Sequence, residues 1–223
     1  MTAPNVPETH GFSVVLLGAM NPALHHPTWY KAVGVLDDAQ EREALAAEFV
    51  FLPQLAQFHT ADLQFFCDPQ RWQLATANIG NVDKVVSITE VSFDEKLTET
   101  PLRAYGLNFN FHEETKCSSV GVALSKMVAS LPLGFSPTAE TSAQLAFTEP
   151  VDGGRLRCNV EPSVHGPNFV FVGFNAHYEL GTAAEPQQIS MKALLQKRPG
   201  DIQDKIDYQV KATIEGLNAE GTD

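Results

Sequence analysis

Leu102-Arg103-Ala104-Tyr105-Gly106-Leu107-Asn108-Phe109-Asn110-Phe111-His112-Glu113 is the stretch on which the fold turns. From Leu107 the alternation is strict, with Leu107, Phe109 and Phe111 pointing one way and Asn108, Asn110 and His112 the other. A period of two is that of a β-strand with one buried and one wetted face. Such one-sided strands belong to antiparallel sheets. A second long strand is expected over residues 168–180, where Gly173, Asn175 and His177 alternate. If the two strands are neighbours, Asn108, Asn110, His112, Asn175, His177 and Glu179 share one polar surface.

Outward from these strands, residues 12–17 form a continuous apolar run that reads as a buried strand ending at Gly18. Residues 49–52, 62–67, 72–77, 143–148 and 155–161 are further β-like runs. Asp68-Pro69-Gln70-Arg71 and Asp152-Gly153-Gly154 supply hairpin turns between them. Asn21-Pro22 and Pro27 break the segment around His25-His26 into a loop, and residues 29–33 read as one helical turn. Asp37 or Asp38 caps a helix through Glu48. Val82, Val85, Val86, Thr89, Phe93 and Leu97 recur at helical spacing, as do Val120, Leu124, Met127, Val128 and Leu131 before Pro132 and Gly134. A terminal helix opens at Asp201, with Ile202, Ile206, Val210, Ile214 and Leu217 on one face.

The expected architecture is α+β: antiparallel sheet or sheets covered by amphipathic helices near 80–98, 119–131 and 201–217. Residues 1–11 read as a leader and 12–223 as a single domain. Two packed halves, 12–135 and 136–223, are the alternative organisation. The match of Gly106-Leu107-Asn108 to Gly173-Phe174-Asn175 is the basis for a diverged two-fold repeat. The early strand with Asn21-Pro22, the hairpin, the helix ending at Thr100-Pro101, the strand from Tyr105 to His112 and the terminal helix together form a recognisable layout. In that layout the chain resembles an uncharacterised, sporadically distributed bacterial protein family of similar length. The resemblance implies no known activity and carries no catalytic residue over.

Composition narrows the function classes. Of 223 residues 43% are apolar, enough for a sizeable core. Fifteen Lys and Arg against 27 Asp and Glu give a net charge of −12, which opposes nucleic-acid phosphate and anionic membrane surfaces. The start of the chain lacks a basic segment ahead of its apolar run, and the three cysteines, Cys67, Cys117 and Cys158, show no C-x-x-C spacing. A cytoplasmic location is the resulting expectation.

No Walker-type phosphate loop, dinucleotide fingerprint, G-x-S-x-G elbow or H-E-x-x-H helix occurs in the sequence. His25-His26 is a conspicuous pair, but adjacent imidazoles diverge and zinc needs three or four converging ligands. Their expected role is hydrogen bonding to backbone around the two prolines. The preferred reading is therefore a non-catalytic protein-binding or assembly protein, with no cofactor or metal, acting on another protein or on itself. The site is the polar strand face of Asn108, Asn110, His112, Asn175 and His177, edged by Tyr105 and Tyr178. The alternative is a small metal-assisted enzyme using histidines of the 21–28 loop or of the long strands.

Overall fold

The computed structural model describes residues 10–129, 143–180 and 191–220. Nine strands form one open antiparallel sheet: β1 (His10–Gly18), β2 (Val50–Leu52), β3 (Leu55–His59), β4 (Gln64–Cys67), β5 (Arg71–Thr76), β6 (Leu102–Glu114), β7 (Leu145–Val151), β8 (Gly154–Pro162) and β9 (Phe169–Glu179). Their order across the sheet is β2-β3-β4-β5-β1-β6-β9-β8-β7. The two long apolar-alternating strands β1 and β6 sit side by side at the centre. A meander returns to each of them, β2 to β5 on one side and β7 to β9 on the other.

Period two sorts the side chains of β1, β3, β4, β5, β6, β8 and β9 into the same two faces. Phe12, Val14 and Leu16 of β1, Trp72 and Leu74 of β5, Leu107 and Phe109 of β6, and Val172, Phe174 and Ala176 of β9 all enter one buried cluster. Five α-helices among the described residues pack on that side: α1 (Pro27–Ala32), α2 (Asp38–Ala46), α3 (Val82–Glu90), α4 (Val120–Ala129) and α5 (Met191–Glu220). Val85 and Ile88 of α3, Val120 and Leu124 of α4, and Ile202, Ile206 and Leu217 of α5 are buried there. Each such side chain withdraws about 1.5–3 kcal/mol worth of apolar surface from water.

The local signals explain the ends of these elements. Asp37 caps α2, its carboxylate accepting from the Ala39 and Gln40 amides, while Gln40 closes a capping box. Asp68 Oδ1 accepts from the Gln70 and Arg71 amides at 2.7 and 2.8 Å and so fixes the β4–β5 turn. Gly153 takes φ +69° in the two-residue β7–β8 turn, a conformation that L side chains avoid. At Gly154 a Cβ would meet the Tyr178 ring at 2.5 Å and the His177 carbonyl oxygen.

Several expectations need revision. The sheet includes β3, which the sequence reading passed over because Leu55, Ala56 and Phe58 make only a faint pattern over five residues. Strand β1 begins at His10, inside the expected leader, whose residues 1–9 lie outside the described residues. The stop at Pro132 and Gly134 and the boundary at 135/136 also lie outside them.

Helix α5 starts at Met191, ten residues before the expected Asp201, because Asp94 Oδ1 accepts from the Met191 amide at 2.6 Å and anchors that end. Helix α3 passes into a π-turn over Val91–Lys96, which carries Phe93 against Trp72 at 5.0 Å. The Gly106–Asn108 and Gly173–Asn175 segments that suggested a repeat sit on adjacent strands of the same side of the sheet. That placement does not by itself show a two-fold repeat.

Candidate functional site: the open face of the sheet

The second face of the sheet carries none of the five helices among the described residues, and its side chains form the candidate surface. Neighbouring strands bring them into straight rows. One row runs Ala75, Ser13, Asn108, Asn175, Arg157, Thr148 across β5, β1, β6, β9, β8 and β7. The next runs Gln57, Phe66, Gln73, Val15, Gly106, His177, Arg155.

The strands β6 and β9 are paired with Asn108 directly opposite Asn175. The polar residues selected from the sequence therefore do share one surface. They bond to each other. Asn175 Nδ2 donates to Asn108 Oδ1 at 2.6 Å, and Asn108 Nδ2 donates to Ser13 Oγ at 3.1 Å. His177 meets Glu179 at 2.9 Å, and Arg157 Nε donates to Asn159 at 3.1 Å.

His112 Nδ1 is bonded to Ser163 Oγ at 2.7 Å, and its ring lies edge-on to His165. Burial, with His165 and His10 nearby, holds the His112 imidazole below its usual range. Asn110 is exposed, and no protein group bonds its amide among the described residues.

Tyr105 and Tyr178 do not edge this face. They lie on the opposite side, 0% and 1% exposed, with their rings stacked at 4.7 Å. Parity decides it: Tyr105 shares the odd positions of Leu107 and Phe109, and Tyr178 the even positions of Phe174 and Ala176. Their phenols serve the core beneath the polar rows.

A different part of the open face is one that the sequence reading missed. Over β3, β4 and β5 a concavity of about 670 Å³ is lined by Glu48, Val50, Gln57, His59, Gln64, Phe66, Arg71 and Gln73, among others. The Arg71 guanidinium lies over the Phe66 ring, 4.3 Å from its centroid. Its Nε is buried and has no hydrogen-bond partner among the described residues. Asp68, the nearest acid in sequence, spends Oδ1 on turn amides. The available signal was the parity of Arg71, Gln73 and Ala75 opposite Trp72, Leu74 and Thr76, which sends an Arg and a Gln to one wetted face.

The histidine pair and the cysteines have structural duties. Trp72 Nε1 donates to Tyr30 Oη at 2.9 Å, and Tyr30 Oη is hydrogen-bonded to His25 Nδ1 at 2.7 Å. Burial lowers His25 to about 4, so it is neutral at pH 7. His26 accepts from the Thr28 amide and caps α1, as expected of this loop, whereas the His25 ring bonds the Tyr30 side chain and not backbone. Burial pushes the Cys67 and Cys158 thiols up to about 12, far from the thiolate that nucleophilic chemistry requires. No group of three or more His, Cys, Asp or Glu among the described residues could hold a metal ion. No helix among them is long and apolar enough to cross a membrane. In comparison with known proteins, the chain matches no family model and no curated sequence.

Proposed function

We propose that this is a non-catalytic recognition protein that engages a protein partner through the open face across β6, β9 and β8. One observation carries the reading. Asn108, Asn110, His112, Asn175 and His177 fall in adjoining rows on a face that bears no helix. The internal bonds of Asn108 and Asn175 make this surface rigid before a partner arrives, which lowers the ordering cost of association. Groups that keep donors or acceptors to spare surround the bonded pair. These are Asn110, the Arg155 guanidinium and the terminal nitrogens of Arg157. Amide and guanidinium groups give directional contacts and register at a polar interface.

The test is affinity capture with three baits: wild type, an Asn110→Ala/Arg155→Glu variant on the open face, and a Tyr208→Ala variant on the exposed surface of α5. The reading expects a partner held by wild type and Tyr208→Ala and lost by the open-face variant. A partner held equally by the open-face variant contradicts it.

A further inference from the structure

We propose that the concavity over β3, β4 and β5 is a binding site for a neutral saccharide, held by the side-chain amides of Gln57, Gln64 and Gln73. The site uses none of the residues through which the partner face is tested. Strand register sets the three amides around one aromatic residue. Gln57 of β3 and Gln73 of β5 stand directly opposite Phe66 of β4, one on each side of it. One row along the sheet, His59 of β3 lies opposite Gln64 of β4. Neighbouring strands run about 4.8 Å apart, and alternate residues of one strand are about 7 Å apart. The backbone positions of Gln57 and Gln73 are thus separated by about 10 Å, with the Gln64 row about 7 Å to one side. That is the footprint of one or two pyranose rings.

These groups are both reachable and unspent. Gln57, His59 and Gln64 are exposed, and Gln73 is half-buried. Neither the three side-chain amides nor the His59 ring bonds another protein group among the described residues. A primary amide presents two N–H donors and a carbonyl acceptor in one plane. A sugar hydroxyl both donates and accepts, so two neighbouring hydroxyls match one amide with both roles used. The C–H face of a pyranose meets the apolar part of the wall at Val50 and Phe66. The Arg71 guanidinium, 4.3 Å from the Phe66 centroid, steadies that ring and need not touch the ligand. The volume of about 670 Å³ falls within the range of small-molecule sites.

Charge and polarity narrow the ligand class. Glu48 and Arg71 stand on the same wall with opposite signs, so neither an anion nor a cation finds a one-sided field there. The net charge of −12 further opposes an acidic ligand. An apolar ligand would strip water from the three amides and leave them unpaired, which is costly. A neutral polyhydroxylated ligand replaces that water with equivalent hydrogen bonds.

The test is an array of immobilised glycans, neutral ones beside their sialylated or sulfated forms, probed with the whole chain. A retained glycan is then titrated in free form by calorimetry. Wild type should retain neutral glycans, and more strongly than the acidic forms. Gln57→Ala/Gln73→Ala should bind the free glycan at least about tenfold more weakly, because two hydrogen bonds to the ligand are lost. Tyr208→Ala, on the exposed surface of α5, should bind it as wild type does. In nitrogen–proton spectra of wild type, the side-chain amide peaks of Gln57, Gln64 and Gln73 should shift and saturate with the same glycan, a readout that stands even if the double variant folds poorly. Retention of no neutral glycan, stronger retention of the acidic forms, unmoved glutamine peaks, or equal affinity of the folded double variant would each overturn the site.

Discussion

Beneath β3, β4 and β5 the polar chain Trp72–Tyr30–His25 runs inside the core, while across β6 and β9 the chain Asn175–Asn108–Ser13 runs on the open face. The open faces above differ in the opposite sense. On the β6–β9 side the central amides satisfy each other. On the β3–β5 side Gln57, Gln64, Gln73 and Arg71 Nε have no internal partner among the described residues. A polar side chain already bonded to its neighbour has less to offer a ligand than one that is not. Polarity by itself therefore does not mark a binding site. What marks it is the unspent hydrogen-bonding capacity of the group, together with its burial.

The harshest way to break this comparison is to remove the layer under one side. Helix α5 packs beneath β6 and β9 and is also tied to the loop after β6 through Cys117 Sγ, which donates to the Leu217 carbonyl at 3.0 Å. Truncation after Gly200 deletes the buried Ile202, Ile206 and Leu217. The loss exceeds about 4 kcal/mol, a large share of a domain's whole stability. The truncated chain should be insoluble or lack cooperative melting by calorimetry. An unchanged melting temperature would show that α5 does not support the β6–β9 side.

Acid discriminates the two sides next. His25 has its folded pKa lowered to about 4 against an ordinary 6.5. The unfolded chain therefore binds a proton that the folded chain refuses. The contribution of His25 is fully present above pH 6.5 and is lost as pH falls towards 4, by roughly 3 kcal/mol in all. Denaturant melts between those limits should show this loss. His25→Gln should flatten that part of the profile, and an identical slope in that variant would contradict the assignment.

The Asn175–Asn108–Ser13 chain itself is expected to matter less. Asn175→Ala leaves Asn108 Oδ1 half-buried without its donor and should cost about 1–2 kcal/mol. A double-mutant cycle with Asn108→Ala should return a coupling of about 0.5 kcal/mol or more. Smallest of all is Gln73→Ala on the other side, expected within about 0.5 kcal/mol of wild type because no internal bond is lost. Equal costs for Asn175→Ala and Gln73→Ala would dissolve the comparison.

The sequence made the wetted side of β6 legible because a period of two over Leu107–His112 admits only one sorting of side chains. The same parity, applied two residues earlier, places Tyr105 in the core, and applied to β9 it does so for Tyr178. What stayed illegible depends on contacts between distant segments. The Phe66–Arg71 stack spans two strands and is visible only once β4 and β5 are in register. The start of α5 is set by Asp94, 97 residues away, and not by the expected Asp201. The mutual bonding of Asn108 and Asn175 likewise required the pairing of β6 with β9, and it changes the meaning of both residues from free donors to a bonded pair.

Side-chain amide hydrogen exchange, read in one spectrum of the wild-type protein, tests the contrast most directly. The Asn108 and Asn175 amide protons should exchange markedly more slowly than those of Gln57, Gln64 and Gln73, which should exchange as free amides do. Equal rates for the two sets, or slower exchange on the glutamines, would contradict the division of the open face into a bonded side and an available one.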